Sequence, residues 1–178
     1  MKSVKELQNN TYESLKKEFG YTNLMQSPRL VKVVVSIGIG SLKDKKKVEL
    51  IIDRLTKISG QKPAVRTAKK SIASFKSREG DPVGLQVTLR GAMMFGFLDK
   101  LINIALPRTK DFRGISKLSV DDMGNITIGL REHTIFPETS DEELRDVFGF
   151  AVTICTGATS KEEAVSFLTA LGIPFSKK

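Results

Sequence analysis

The chain has 178 residues, of which 40% are hydrophobic, enough for the core of one globular domain or at most two tightly fused layers. No apolar run reaches the length of a bilayer, and the first residues, MKSVKELQNN, lack the apolar region of a signal peptide. The single cysteine, Cys155, excludes an internal disulfide and fits a reducing cytoplasm. We therefore expect one cytoplasmic domain over residues 1–178.

The net charge of +9 is unevenly distributed along the chain. Residues 132–174 hold eight acidic and two basic side chains, whereas residues 1–131 hold 25 basic and 12 acidic ones. This asymmetry indicates a partner built of phosphates that faces the N-terminal two-thirds. A membrane surface is the competing partner, and it fits less well because no basic amphipathic helix with a wide apolar face is predicted.

The first elements are a helix, a connector and a strand. Apolar side chains at helical spacing predict a helix over residues 2–19, which ends at Gly20. The connector, Tyr21–Pro28, carries Asn23 and Gln26, which we expect to be free for side-chain hydrogen bonds. Residues 29–40 alternate as a strand with two faces. One face holds Val31, Val33, Val35, Ile37 and Ile39, and the other holds Lys32, Val34, Ser36, Gly38 and Gly40.

The glycines of SIGIGS raise a nucleotide-binding alternative, because a GxG after a strand opens the dinucleotide fingerprint. That fingerprint needs a third glycine where this chain has Lys43. Close approach of another backbone or of RNA explains the glycines better. A helix over residues 44–59 and a short strand over residues 61–66 follow.

Residues 61–91 form the stretch around which the chain is organised, with seven basic and two acidic residues. Lys69–Gly80, the basic loop, lacks helical or strand periodicity, and we expect it to be mobile in the free protein. Its charges either meet phosphates or only solvate an exposed loop. The strand that follows, Val83–Arg90, points four apolar residues one way and Gly84, Gln86, Thr88 and Arg90 the other.

The next helix, Ala92–Leu106, is the most apolar, and Met94, Phe95, Leu98, Leu101 and Ile102 are its predicted core. Pro107 is predicted to end it. The second basic loop, Pro107–Gly114, reads PRTKDFRG, and Phe112 suits either base stacking or a plug in the core.

The acidic residues of the C-terminal part are assigned to turns and surfaces. DDMGN, residues 121–125, is predicted to be a turn before a strand over Asn125–Arg131. IFPE, at residues 135–138, and the following TSDEELRDV form a predicted acidic, exposed segment. A last strand, Phe148–Cys155, precedes a helix that opens with a capping box of Ser160 and Glu163 and buries Val165, Leu168 and Leu171.

The fold class predicted from these elements is α+β, an antiparallel or mixed sheet with helices packed on one face. The other sheet face stays open and faces RNA, because its short hydroxyl, amide and cationic side chains suit phosphates and 2′-hydroxyls. That face is predicted to hold Lys32, Ser36, Gln86, Thr88, Arg90, Asn125, Thr127 and Arg131. It lacks the aromatic residues on which other RNA-binding sheets stack bases.

Five motifs together resemble the L-five family of large-subunit ribosomal proteins: GQKP, AKKSIASFKSREG, VTLRG, ALPRTKDFRG and IFPE. The resemblance runs from about Val4 to Phe175. It implies a non-enzymatic protein bound to 5S rRNA and 23S rRNA in the central protuberance, in contact with neighbouring ribosomal proteins, including one of the small subunit across the subunit bridge. It also implies that the basic loop reaches the peptidyl-site tRNA. Ser36 departs from the family's usual asparagine, and Thr109 and Lys110 depart from its usual PRIRDFRG.

These considerations assign the candidate site residues, with no catalytic residue, metal or cofactor and no membrane partner. The rRNA contacts are predicted at Asn23, Gln26, Lys32, Ser36, Gly38, Gln61, Lys62, Gln86, Thr88, Arg90, Arg108, Lys110, Phe112, Arg113, Asn125 and Arg131. The tRNA contacts are predicted at Lys69, Lys70, Ser71, Ser74, Phe75, Lys76 and Arg78. The alternative, an enzyme or nucleotide-binding protein that uses SIGIGS and the acidic turns, lacks a P-loop, a metal-ligand cluster and a nucleophile beside a base.

Overall fold

The computed structural model describes residues 3–42, 44–110, 112–139 and 147–176. Its helices are α1 (Val4–Phe19), α2 (Lys45–Ser59), α3 (Gly91–Lys100), α4 (Leu106–Arg108) and α5 (Lys161–Ala170). Its strands are β1 (Leu30–Gly38), β2 (Ala64–Thr67), β3 (Pro82–Leu89), β4 (Ile126–Leu130) and β5 (Phe150–Thr156). They form a five-stranded antiparallel sheet in the order β2-β3-β1-β5-β4, which confirms the predicted α+β class.

Contacts within the chain group it into two compact units. The first unit comprises Met1–Val33, Leu89–Ile128 and Thr153–Lys178, and the second comprises Val34–Thr88 and Gly129–Val152. The expectation of one domain over residues 1–178 stays a prediction. No helix among the described residues is both long enough and apolar enough to cross a membrane.

Strand β1 alternates as predicted only from its fourth residue onward. Val33, Val35 and Ile37 are buried, and the residues between them are partly exposed. The prediction that Val31 faces the core is wrong, since its side chain is 52% exposed whereas Leu30 is buried. Two residues separate Leu30 from Val33, so strict alternation begins only after the first residues of the strand, where Gln8 Oε1 accepts the Leu30 N–H at 3.0 Å.

Helix α1 is fixed at its first residue by a capping box. The Ser3 hydroxyl accepts from the helix backbone, and Glu6 reaches back to the Ser3 N–H. Asp99 of α3 holds the same end from outside the helix, because its carboxylate accepts the Val4 N–H at 2.8 Å and the Ser3 hydroxyl at 3.0 Å. This arrangement satisfies N–H groups that a helix start otherwise leaves without partners.

The helix that starts at Gly91 continues past the predicted end at Pro107. A π turn, Leu101–Ala105, joins α3 to the short α4, which runs to Arg108. Pro107 lies in the first residues of α4, directly after the π turn, and the helical backbone continues through it to Arg108. The buried stripe also differs from the prediction: Phe97 is buried, whereas Phe95 and Ile102 are half-buried.

The prediction that IFPE is exposed is wrong for Ile135 and Phe136, whereas Pro137 and Glu138 are exposed. Two 3₁₀ turns, His133–Ile135 and Pro137–Thr139, carry this segment, and Ile135 and Phe136 lie in the core. The ring of Phe136 packs 5.9 Å from that of Phe150. Residues 140–146, most of the predicted acidic segment, lie outside the described residues.

The start of α5 carries a buried carboxylate with several donors. Ser160 Oγ accepts the Glu163 N–H at 3.3 Å, as the predicted capping box requires. The Glu163 carboxylate accepts the Thr159 N–H at 2.7 Å and the Thr159 hydroxyl at 2.9 Å, and it also accepts the phenol of Tyr21. The sequence pattern predicted the cap but not the hydrogen bond between Glu163 and Tyr21 of the connector.

Burial and hydrogen bonding oppose each other at Glu163. Burial acts to raise its pKa, but the bonds from Tyr21 and Thr159 outweigh burial and hold the pKa below its usual value. The pKa of Tyr21 is raised, first by burial and then by the neighbouring Glu163 carboxylate. A carboxyl whose pKa is lowered by folding stabilises the fold above its unfolded pKa, and this contribution is lost as pH falls through the folded pKa.

Replacing Tyr21 by phenylalanine is expected to lower the free energy of unfolding at neutral pH by about 1.5–3 kcal/mol, as for a hydrogen bond to a charged group. The loss relative to the native chain should shrink in acid, where Glu163 is protonated in both proteins. Denaturant titrations across this pH range measure both effects. Tyr12→Phe, at the chain's other tyrosine, is the matched control, and an equal loss at every pH would contradict the assignment.

Candidate nucleic-acid interface

The second unit presents a polar strand surface built by β1 and β3. Ser36, Gln86 and Thr88 are half-buried and Gly38 is exposed, while the alternating Leu85 and Val87 are buried. Gly84 allows the two strands to lie close together, because a Cβ at this position would stand 3.2 Å from the Ile37 carbonyl oxygen. The strands therefore offer a low surface of hydroxyl, amide and backbone groups, as the sequence predicted.

Arg66 joins this surface and was not among the predicted contacts. In the antiparallel pairing of β2 with β3, Ala64 stands opposite Gln86 and Arg66 opposite Gly84. The Arg66 Nε donates to Gln86 Oε1 at 2.7 Å, which orients the Gln86 amide and adds an exposed guanidinium beside it. All residues of β2 are exposed. The sequence therefore has no hydrophobic alternation from which the pairing register of β2 with β3 could be predicted.

In the first unit, the polar residues lie on parts of β1, β4 and β5 and at the start of α3. Lys32 is half-buried, and Thr127 and Arg90 are exposed. The hydroxyl groups of Thr127 and Thr153 lie 3.0 Å apart across the strands. Arg131, at the end of β4 in the second unit, is also exposed. These cations and hydroxyls are available to a partner.

Asn125, by contrast, is engaged within the protein. Its Oδ1 accepts the Thr156 N–H at 3.3 Å, and its Nδ2 donates to Asp121 at 3.1 Å. Asp121 also accepts the Asn125 N–H at 2.6 Å, and this bond lowers the pKa of Asp121. DDMGN is thus a turn, as predicted, and the rRNA contact predicted for Asn125 stays a prediction whose amide groups already have partners.

Asn23 and Gln26 are less free than the sequence predicted. Asn23 Oδ1 accepts the Met25 N–H at 3.2 Å, and Gln26 Oε1 accepts the Thr22 N–H at 2.8 Å. These bonds cap a 3₁₀ turn, Leu24–Gln26, because short amide side chains compete well for backbone donors in turns. Their oxygens shape the connector, and their NH₂ groups remain for other contacts.

The basic loop has a defined backbone with its charges outside. Ile72 and Ser77 pair with each other around a 3₁₀ turn, Ala73–Phe75, and Lys76 closes the turn at a φ of 51°. The acidic residue Asp81 accepts the Arg78 N–H at 2.8 Å. Within the described part of the chain, the side chains of Lys69, Lys70, Lys76 and Arg78 form no ion pair, and Ser71, Ser74 and Phe75 are exposed with them. The predicted mobility stays a prediction.

The remaining predicted rRNA contacts, apart from Phe112, are exposed. Gln61 and Lys62 lie between α2 and β2, and Arg108, Lys110 and Arg113 lie in the second basic loop. Phe112 is half-buried, so both of its interpretations remain open. Gly114 fixes the end of this loop at a φ of 91°, where a Cβ would stand 2.7 Å from the Ser176 nitrogen.

The features of the nucleotide-binding alternative do not form a site in the described residues. After β1 the chain turns through a bond from the Leu42 N–H to the Ile39 carbonyl, and α2 starts only at Lys45, capped by Asp44. His133 is buried, accepts the Phe148 N–H at Nδ1 (3.3 Å) and stacks on the Phe148 ring at 4.1 Å. No group of three potential metal ligands occurs in the described ranges.

Comparison with known proteins identifies the family. Residues 23–78 match the family model described as "Ribosomal protein L5", and residues 82–175 match the model of the C-terminus of the same ribosomal family. The chain is 51% identical over 169 residues to "Large ribosomal subunit protein uL5" of Desulfatibacillum aliphaticivorans, covering 94% of each chain. It is 48% identical over 170 residues to the protein of that name from Ureaplasma urealyticum, covering 95% of this chain and 92% of the relative.

The chain therefore belongs to the ribosomal protein L5 family, whose members are structural proteins of the large ribosomal subunit. The resemblance stated from the five motifs is confirmed. Since the family is not enzymatic, the prediction that this protein is not an enzyme is also confirmed.

Replacing Asn125 by alanine is expected to destabilise the turn, because two hydrogen bonds of its side chain are lost. The free energy of unfolding should fall by about 1–2 kcal/mol, at about 1 kcal/mol for each net bond. Arg131→Ala, on the exposed end of the same strand, should change it by less than about 0.5 kcal/mol. Thermal or denaturant unfolding measures the stability of both variants. Unchanged unfolding of Asn125→Ala would leave rRNA binding as the role of this residue.

Proposed function

We propose that this protein binds 5S rRNA, together with 23S rRNA, in the central protuberance of the large subunit of cytoplasmic ribosomes. The observation that carries the proposal is the polar surface of β1 and β3, where every second residue from Val33 and from Leu85 onward is buried. The residues between them offer hydroxyl and amide groups, and the Arg66 guanidinium of β2 lies beside Gln86. Double-stranded RNA is recognised largely by shape, through phosphates and 2′-hydroxyls across a shallow groove. Short donors on a low surface can reach those groups without opening the RNA helix.

The charge distribution supports an RNA partner. Arg66, Arg90 and the cations of both basic loops are exposed, and the N-terminal 131 residues carry 25 basic against 12 acidic side chains. Neutralising phosphates releases counterions, so affinity for rRNA should fall as salt rises. Neighbouring ribosomal proteins, including one of the small subunit across the subunit bridge, complete the set of partners that the family implies. No described feature favours a membrane partner or a catalytic function.

We assign the basic loop to the peptidyl-site tRNA and not to rRNA. Its four cations are exposed and unpaired by carboxylates within the described residues, while its backbone is closed by its own hydrogen bonds. A loop built in this way can present positive charge to a phosphate backbone without depending on the strand surface for its shape. Two separate RNA partners then bind two separate parts of the second unit.

Thr88→Val combined with Arg90→Ala is expected to weaken 5S rRNA binding about tenfold or more, with about 1 kcal/mol for the hydroxyl and more for the charged contact. Filter retention measures the affinity, while circular dichroism and melting should match the native protein. Thr169→Val with Lys17→Ala, on exposed helix surfaces, provides the matched control. Equal affinity of the two double variants would refute the strand surface as the 5S rRNA site.

Replacing Lys69, Lys70, Lys76 and Arg78 together by alanine is expected to leave the fold and 5S rRNA affinity nearly unchanged. Ribosomes reconstituted with this variant should release peptidyl-site tRNA faster, most clearly at low salt, where exposed charges are least screened. The control removes four exposed charges elsewhere, at Lys5, Lys17, Lys47 and Lys117. A large loss of 5S rRNA binding with normal tRNA retention would instead make the loop part of the rRNA anchor.

A further inference from the structure

A cleft of about 320 Å³ lies in the first unit between helix α1 and the connector. Its helical side is formed by Gln8 and Asn9 and, one turn of α1 later, by Tyr12. Leu24, Met25 and residues 27–29, directly before β1, form the other side. Its volume is at the lower end of the range for small-ligand sites, so it suits one flat group of the size of a nucleobase with its sugar.

Two walls of the cleft are apolar although they face solvent. The side chains of Leu24 and Met25 are 53% and 66% exposed, and the half-buried ring of Tyr12 lies opposite them in the cleft lining. A thioether and an aromatic ring are surfaces on which a planar base packs well. Exposing these side chains in a free protein is unfavourable in water, and a partner would remove that cost.

The rim of the cleft is polar and cationic. The Arg29 guanidinium contacts the Met25 sulfur, and Lys16 Nζ lies 5.4 Å from the centre of the Tyr12 ring. Gln8 uses its Oε1 to accept the Leu30 N–H, which leaves its NH₂ group as a donor. No carboxylate occurs among the described residues that line the cleft. Such a lining attracts a phosphate and offers amide donors to a base edge.

The cleft is held open by the backbone bonds of the connector. Asn23 and Gln26 cap the 3₁₀ turn that carries Leu24 and Met25, and the Gly157 N–H donates to the Arg29 carbonyl at 2.8 Å. The walls are therefore positioned before any ligand arrives, which lowers the entropic cost of binding. This explains why the amide oxygens of the connector are used internally.

We propose that this cleft binds one unpaired nucleotide of ribosomal RNA. The base packs between the Tyr12 ring and the side chains of Leu24 and Met25, and its phosphate meets Arg29, with Lys16 nearby. The proposal rests on the proposed rRNA-binding function and adds a site that reads an unstacked base, which the strand surface lacks. An apolar peptide is the other conceivable ligand, but it has no use for a rim of cations and amide donors without a carboxylate.

Met25→Glu tests the cleft by placing a carboxylate beside the phosphate and base. Because Met25 is exposed, the fold should be unaffected, and Met123→Glu, at a 75% exposed methionine of a different loop, carries the same charge change. Affinity is measured by filter retention for a 5S rRNA transcript, a 23S rRNA transcript and tRNA. We expect Met25→Glu to bind at least one rRNA about tenfold more weakly than Met123→Glu, as for one lost stacked base.

Tryptophan fluorescence provides a second measurement, because the chain contains no tryptophan of its own. Leu24→Trp places the indole in the cleft, and Leu118→Trp places it at an 85% exposed leucine outside it. The transcript that Met25→Glu binds weakly should quench Leu24→Trp fluorescence and leave Leu118→Trp nearly unchanged. Quenching by tRNA alone, or equal quenching at both positions, would overturn the proposal.

The failure of this proposal can be told apart from failure of the proposed function. If the native protein binds neither rRNA, the proposed function itself is wrong. If the native protein binds rRNA and Met25→Glu binds both transcripts as tightly as Met123→Glu, only the cleft assignment is wrong. Normal rRNA affinity of Met25→Glu together with poor incorporation into large subunits would assign the cleft to a protein partner and also refute the proposal.

Discussion

The two-residue period of β1 and β3 is the constraint on which the rest of this structure depends. From Val33 in β1 and from Leu85 in β3 onward, every second side chain is buried, so the core and the polar surface are made by the same stretches of backbone. Leu85 cannot shift its register by one position without exposing the core and burying the amide of Gln86. The approach of Gly84 to Ile37 then keeps the outer surface low, which leaves room for a partner's backbone.

Polar side chains fall into two groups: those that make hydrogen bonds within the protein and those that are available to a partner. Asn125, Asn23 and Glu163 have acceptors filled by backbone or hydroxyl donors. At the buried Glu163, a carboxylate without such donors would be costly. Thr88 and Arg90 lie on or beside a strand whose backbone bonds are already made, so their side chains are left for other contacts. Fewer polar residues are therefore available to an RNA partner than the sequence contains.

The basic loop and the connector also differ in which groups they use internally and which they expose. The basic loop satisfies its backbone by pairing Ile72 with Ser77 and directs its cations outward, so its shape does not depend on its charges. The connector uses its amide oxygens to cap its own turn and exposes Leu24 and Met25. One loop thus offers charge and the other offers an apolar cleft, two complementary ways of holding a nucleic acid.

The sequence by itself determined the α+β class, the faces of β3 and β4, the DDMGN turn and the family, because alternation, helical spacing and turn residues are local signals. Only the tertiary structure decided that Phe136 lies in the core, that Arg66 reaches Gln86, and that the helix continues past Pro107. Each of these depends on contacts or registers between segments distant along the chain, or on a π turn that no residue pattern marks. Burial and side-chain partners are properties of the packed chain, and a local pattern cannot specify them.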